Sequence, residues 1–451
     1  MTNTSLKIYD LLKGTHVRQT MWFLDESQHW ELEKLQEYQD EKLNTLLASI
    51  AWDVPFYRET VGKESVTWRR GDFEKLPIVD RKMLMEAGDH LLSENINLKK
   101  CKIGRTGGTT GPPLRLYRDI ETRSWALAAY YRFYNWMGIE PGMPEVELWG
   151  SSDIRYSISE IRNSNLSNAQ RLMPNAWFKG LRAASINRLN NFRSYNAFNF
   201  NDAYLEMAVN KIQKFRPALI RGYLSAIILL AEYIKRNNIK GIKPIAVSCT
   251  SETLFPEYRK MIEEVFQAPL FNQYGCGECN SIAFECSAHN GMHISMEHCM
   301  LEQDDDNNLI VTNLDNHSQP FIRYKNGDKG IISNEPCICG NAAPRLTELQ
   351  GRANENIILK DGASVNGIFF SNLLDETGFI NSNKMLRFQL VQKKAGEIEF
   401  KAEVKKELVP KDLNKLKDAL MPFFSNVEIT QHSFLDPGSS GKFRYLISEL
   451  T

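Results

Sequence analysis

The chain has 451 residues, 42% hydrophobic and 24% charged, a balance that sustains a buried core and excludes a disordered chain. Lys+Arg and Asp+Glu are each 55, so no global charge draws the protein onto nucleic acid or an anionic membrane surface. The length exceeds one ordinary domain, so a large domain with at least one smaller companion is expected.

No run of 18 apolar residues occurs, and the first twenty residues, MTNTSLKIYDLLKGTHVRQT, lack the apolar stretch of a signal peptide. The expected location is therefore cytoplasmic, without membrane insertion. In that reducing setting the eight cysteines read as thiols or metal ligands, not as a disulfide framework.

In chain order, Trp30, Leu32, Leu35, Tyr38, Leu43, Leu46 and Leu47 recur at helical spacing and predict an amphipathic helix over 27–50. Further helices are expected over 121–136, 202–215, 224–236 and 256–266. Between them lie short apolar runs with strand character: Glu145–Trp149, Ala218–Gly222, Pro244–Cys249 and Pro269–Gln273. Strands alternating with helices predict an α/β fold with mostly parallel sheets. From about residue 300 the pattern turns β-rich and predicts a β-rich subdomain of the large domain, with strands expected at Met300–Glu302, Leu309–Asn313 and Lys329–Ser333. The remainder reads as a small α+β domain. It comprises Ile357–Leu359, a helix near 367–375, strands at 386–392 and 397–404, a helix at 411–422, and strands at 427–432 and 443–448. The boundary is placed so that residues 1–352 form the large N-terminal domain and 353–451 the small C-terminal one.

The most informative local segment is Arg105-Thr-Gly-Gly-Thr-Thr-Gly-Pro-Pro-Leu114. Gly107, Gly108 and Gly111 let the backbone turn its N–H groups toward an anion, and Thr106, Thr109 and Thr110 add hydroxyl donors. The lysine of a Walker-type loop is absent, since Pro112-Pro113 follow Gly111. Any cation for the phosphates must come from elsewhere. Alone, such a segment is as readily a tight turn.

Four further segments follow in order: Gln273-Tyr-Gly-Cys-Gly-Glu278, Pro320-Phe-Ile-Arg-Tyr-Lys-Asn-Gly-Asp328, Gly351-Arg352, and Gly438-Ser-Ser-Gly-Lys442-Phe-Arg. Each taken singly is more readily a turn or a solvated side chain. Together with the glycine-threonine loop, the ordered series resembles the adenylate-forming (acyl-CoA synthetase-like) superfamily, and within it the phenylacetate–CoA ligases and the CapK capsular polysaccharide proteins. The resemblance spans residues 105–444. It implies an AMP-forming carboxylate ligase with a small mobile C-terminal domain. Thr106, Gly107, Gly108, Thr109, Thr110 and Gly111 would hold the ATP phosphates. Ser251, Glu252, Gln273, Tyr274 and Gly275 would border the adenine, and Glu278 would hold Mg²⁺. Asp328 would accept from the ribose hydroxyls, with Arg352 nearby. Lys442 would bridge the attacking carboxylate and the α-phosphate, a role suited to a compact charge on a flexible stem.

The partners implied are a small-molecule carboxylic acid and an acceptor, with no nucleic acid. A CapK-type protein would use an amine or hydroxyl on a sugar or amino acid in surface-polysaccharide assembly. A phenylacetate-type ligase would use the thiol of CoA. A non-catalytic nucleotide-binding homologue is the rival reading.

Cys337 and Cys339 stand one residue apart before Gly340, and upstream lie Cys286, His289 and His293. Three thiolates and one imidazole make a tetrahedral structural zinc site. The resembled branch carries a similar Cys…His…Cys-x-Cys pattern, and Cys286, His293, Cys337 and Cys339 are the favoured ligands, with His289 competing for the imidazole place. Cys276 and Cys279 form a C-x-x-C inside the Tyr-Gly-x-x-Glu segment and are read as incidental, as are Cys101, Cys249 and Cys299. His298, His317 and His432 show no evident partner. Most of the aromatic cluster Trp125–Trp136 reads as core. The basic residues between Arg155 and Arg193 read as a solvated face, with contact to an anionic substrate as the lesser alternative.

Overall fold

The computed structural model describes residues 3–61, 73–105, 114–149, 191–196, 202–352, 357–362, 364–365, 385–404, 406–436 and 443–450. Helices α1 (Asn3–Lys13), α2 (Val17–Ser27), α3 (Leu32–Asp53), α4 (Pro55–Val61) and α5 (Arg81–Ala87) come first. The sequence reading has no counterpart for α1 and α2, and the helix expected from residue 27 starts at Leu32. At the end of α2 the buried Ser27 hydroxyl turns inward and donates to Glu297. Along α3 the stripe Leu35, Leu43, Leu46, Leu47 and Ile50 is buried, as its spacing requires. Gln39 lies on the same stripe and is buried at no cost in lost hydrogen bonds. Its Nε2 donates to the carbonyls of Met296 and Cys299.

The hairpin β1 (Lys102–Arg105) and β2 (Arg115–Arg118) precedes α6 (Ile120–Trp136). Asp119 caps α6 by accepting from the Thr122 N–H. Then come β3 (Glu145–Trp149), β4 (Phe192–Asn196), α7 (Asp202–Phe215), β5 (Leu219–Tyr223), α8 (Leu224–Arg236), β6 (Ala246–Thr250), α9 (Pro256–Phe266) and β7 (Leu270–Tyr274). These strands pair in parallel, and all five residues of β6 are buried, as a strand covered on both faces demands. Every expected α/β element in this stretch is present, displaced by two residues at most.

The β-rich part consists of β8 (Ala283–Glu285), β9 (Met292–Ile294), β10 (Cys299–Gln303), β11 (Asn308–Asn313), β12 (Tyr324–Ser333) and β13 (Arg345–Arg352). It continues the parallel strands instead of forming a sheet of its own. The order is β10-β11-β12-β13-β9-β8-β7-β6-β5-β3-β4, antiparallel from β10 to β7 and parallel beyond. The antiparallel half brings β12 and its turns round to the carboxyl end of β7.

After Arg352 follow the short pair β14 (Ile357–Ile358) and β15 (Ser364–Val365), then β16 (Met385–Lys394), β17 (Glu397–Val404), α10 (Pro410–Leu420), β18 (Asn426–His432) and β19 (Leu446–Ser448). The four long strands order β18-β17-β16-β19, with Phe388 stacked on Phe400 in the core beneath. Tyr445 packs on Phe255 and Tyr258, so the small sheet rests against α9. The helix expected near 367–375 lies outside the described residues. The whole is an α/β fold with a large mixed sheet and a small C-terminal sheet. Among the described residues no helix is long and apolar enough to cross a membrane.

Candidate active site

In open α/β sheets ligands bind beyond the carboxyl ends of parallel strands. Here β5, β6 and β7 end at Tyr223, Thr250 and Tyr274, so Ser251, Glu252, Gln273, Tyr274 and Gly275 gather at that edge. Glu252 is engaged there with the start of α8, accepting from the Ser225 N–H at 2.7 Å and the Ser225 hydroxyl at 2.8 Å. Ser251 holds a left-handed backbone, φ 73°, that turns the chain out of β6. Gln273 is buried, and its Oε1 has no hydrogen-bond partner among the described residues.

After β7 the chain turns sharply. The Cys276 N–H donates to Cys279 O and the Ile282 N–H to Tyr274 O, enclosing Gly275 and Glu278 in a tight loop. Two bonds tie this loop to β12. Tyr274 donates its hydroxyl to Asp328 Oδ2 at 2.8 Å, and Tyr324 donates to Glu278 Oε1 at 3.0 Å. Asn326 completes the junction: its Nδ2 donates to the Tyr274 oxygen at 2.7 Å, and its Oδ1 accepts from the Asp328 N–H at 3.0 Å. Between them Gly327 adopts φ 85°, a conformation that favours glycine and aims Asp328 back toward β7. Burial first, and then the Asp328 carboxylate, raise the Tyr274 pKa well above that of an ordinary tyrosine, so the phenol stays a donor. Arg81 Nη1 stands 4.0 Å from Glu278 Oε1.

Segments 273–278 and 320–328 therefore meet. Asp328 also pairs with Arg352 across β12 and β13, which places the Arg352 backbone in register with it. Thr106, Gly107, Gly108, Thr109, Thr110, Gly111, Lys442 and the Arg352 side chain lie outside the described residues, as do residues 155–188. The strands on either side of the 106–113 segment are paired, Arg105 with Arg115. Phe443, directly after Lys442, is buried against Tyr445 and beneath the Arg387 guanidinium. Tyr324, Asn326 and Arg81 were assigned no role from sequence. The first two sit inside a quoted motif; Arg81 carries no local signal.

A second cluster lies on the antiparallel half. The ligand atoms of Cys286, His293, Cys337 and Cys339 all fall within 4.8 Å of one another. Two sulfurs on a tetrahedron of about 2.3 Å radius stand roughly 3.8 Å apart, and Cys286 Sγ and Cys337 Sγ are separated by 3.8 Å. His293 Nδ1 bonds the Ala343 carbonyl at 2.9 Å, and its Nε2 faces Cys339 Sγ at 3.2 Å. That bond presents the Nε2 lone pair to the thiols, the orienting contact metal-bound imidazoles use. Burial lowers the His293 pKa and favours the neutral ring. His289 is occupied elsewhere, its ring tilted against Phe271 and facing Glu285 and Arg259. The donor set and spacing fit zinc.

The three other histidines considered in the sequence, His298, His317 and His432, are satisfied ones. His298 is buried, with Nδ1 against Asp315 Oδ2 and Nε2 bonding Asn280 O at 2.7 Å. His317 meets the Ser49 hydroxyl and His432 that of Thr430. Trp125, Phe133 and Tyr134 are core, as expected. Arg193, the one described member of the expected basic stretch, lies over the Phe215 ring.

No family model matches the chain. Its sequence relatives and its fold are those of the adenylate-forming superfamily of AMP-forming carboxylate ligases, to which the chain is distantly related. It is 24% identical over 371 residues to Protein CapK of Staphylococcus aureus, covering 80% of this chain and 77% of that protein. It is 25% identical over 361 residues to phenylacetate–coenzyme A ligase of Thermus thermophilus, covering 73% and 72%. Among solved structures, 2-hydroxyisobutyryl-CoA ligase in its postadenylation state with 2-HIB-AMP shares the fold. The TM-score is 0.72 at 17% identity, over 94% of this chain and 91% of that one. The same ligase in its thioesterification state with CoA matches at TM-score 0.59 and 19% identity, over 93% and 91%.

Proposed function

We propose that the protein activates a small carboxylic acid with ATP, forming an acyl-adenylate and pyrophosphate, and passes the acyl group to an acceptor. The observation that carries this reading is the hydrogen bond from Tyr274 to Asp328, which joins two motifs 54 residues apart at the carboxyl end of the parallel strands. In the first half-reaction a carboxylate oxygen attacks the α-phosphorus and pyrophosphate leaves. In the second the acceptor attacks the acyl carbon and AMP leaves.

Asp328 takes the ribose hydroxyls, since one carboxylate accepts from two adjacent donors. The vacant acceptor at Gln273 Oε1 suits an exocyclic amino group such as that of adenine. The backbone and hydroxyls of Thr106–Gly111 hold phosphates, and Lys442 supplies the cation at the attacking carboxylate. Tyr324 engages Oε1 of Glu278, and with that carboxylate Mg²⁺ would neutralise phosphate charge. Ser251, Glu252, Gly275 and Arg352 complete the nucleotide side. Zinc at Cys286, His293, Cys337 and Cys339 would be structural, because four protein ligands leave no open position.

For the acceptor, we favour an amine or hydroxyl in surface-polysaccharide assembly. The CapK-type wording of residues 105–114 and the relationship to Protein CapK support it. A second reading, the thiol of CoA, is supported by the relationship to phenylacetate–coenzyme A ligase and by the fold shared with a CoA ligase. Carboxylate-dependent ATP–pyrophosphate exchange over aryl, fatty, amino and uronic acids tests the reaction class. Adding CoA, amino sugars or amino acids to the competent acid then separates the acceptors. Exchange absent over the whole panel, with ATP still bound, favours the non-catalytic rival.

A further inference from the structure

Arg118 closes β2, and the Thr106–Pro113 segment between its hairpin strands contains neither lysine nor arginine. Its guanidinium does not point to solvent. It folds back over Gly104, where a Cβ would stand 2.8 Å from Nη1, so the passage depends on that glycine. At the other end Nη2 donates to the Gly277 carbonyl at 2.7 Å, inside the turn that carries Glu278. Arg132, Arg221, Arg259, Arg323 and Arg387 each sit against a glutamate. No carboxylate among the described residues lies within ion-pair distance of Arg118, although Glu278 is near enough for its charge to be felt. Burial lowers the Arg118 pKa, with Glu278, Cys276 and Tyr130 opposing. A largely buried guanidinium held by one neutral partner keeps the remaining donors of its fork open to an anion.

We propose that Arg118 is a nucleotide-phosphate ligand: held between Gly104 and the Gly277 carbonyl, its guanidinium binds an oxyanion of the β- and γ-phosphates. This rests on the ATP-dependent reading above. A planar fork of donors matches a phosphate edge, and a fixed arginine beside Glu278 supplies the charge that the glycine-threonine segment lacks.

Calorimetric titration of the wild type, Arg118→Lys and Arg118→Gln with MgATP, pyrophosphate and AMP tests this. Arg118→Gln should loosen ATP and pyrophosphate by about 10- to 100-fold, while AMP shifts by less than about threefold. Arg118→Lys should fall between, since it keeps charge but loses the fork. AMP binding also reports that each variant is folded, and if Arg118→Gln fails it, Arg118→Lys decides on the ratio of ATP to AMP. Parallel weakening of ATP and AMP would overturn the assignment, as would unchanged ATP binding with a raised KM for the acid in exchange. Exchange absent over the acid panel, with ATP affinity still dependent on Arg118, sinks the ligase reading and leaves this one standing.

Discussion

Tyr274 and Asp328 meet through a single 2.8 Å hydrogen bond, and Asn326 braces the tyrosine oxygen from its other side. The carboxylate is thereby fixed in orientation relative to β7. Two-point recognition of a diol needs such a preorganised acceptor.

Replacing Asp328 with Ala should raise the KM for ATP by about 10- to 100-fold, the worth of hydrogen bonds to a charged group. Tyr274→Phe leaves the carboxylate in place but loosens it, and a rise of about 3- to 10-fold is expected. Comparing ATP with 2′-deoxy-ATP identifies the cause. Discrimination between them should collapse in Asp328→Ala, and its survival there would remove Asp328 from the ribose.

Lys442→Ala should reduce adenylation by several orders of magnitude, because the cation acts where charge develops. Acyl transfer from a supplied acyl-adenylate should persist. Equal loss of both half-reactions would contradict the role given to this lysine.

Purified protein with its cysteines reduced should hold about one zinc per chain, the stoichiometry of a four-ligand site. Less than half an equivalent by elemental analysis argues against the site. Cys337→Ser or prolonged chelation should release the metal and lower the Tm, since the four ligands tie the β8–β9 hairpin to the 334–343 loop. His289→Ala should leave zinc content unchanged, because that ring faces Arg259 and Glu285.

Glu297 is buried beneath α2 and α6, accepting from Ser27 and from both terminal nitrogens of Arg132. Burial alone would raise its pKa, but the Arg132 pair and the hydrogen bonds outweigh it and the net direction is downward. A depressed carboxyl pKa stabilises the fold above the unfolded-state value, about 4.3, and that contribution is lost as pH falls through the folded value. Glu297→Gln leaves Arg132 buried and uncompensated, a loss of about 3–5 kcal/mol. The Tm difference from wild type should be largest near neutrality and shrink below pH ~4. A difference that grew on acidification would reverse the sign assigned to this group.

Much of the fold was legible because hydrophobic periodicity is a local property. The elements from Ile120 to Tyr274 emerge within two residues of expectation, since buried parallel strands and amphipathic helices carry strong period signals. Helices α1 and α2 were not legible: their buried stripes are short and are completed by α6, distant in sequence. The fusion of β8–β13 onto β7 was missed for a similar reason, because strand order depends on pairing between segments. At the site, the ordered motifs placed Asp328 and Tyr274 in one functional set, yet nothing in either segment announced the bond between them. For the cluster, the sequence offered two histidines. The backbone separates them: His289 takes a left-handed φ of 50° on a turn, while His293 lies on β9 facing the Cys-x-Cys loop. Arg118 was invisible because its contacts, Gly104 and Gly277, lie 14 and 159 residues away.

The central claim is that these side chains surround one ATP molecule whose α-phosphorus is attacked by a carboxylate. Mass spectrometry of the products formed from ATP and a competent acid, with every acceptor withheld, tests it most directly. An acyl-adenylate together with pyrophosphate in equal amounts is the expected result. Formation of ADP with an acyl phosphate, or ATP binding without any acid-dependent product over the full range of acids, would contradict it.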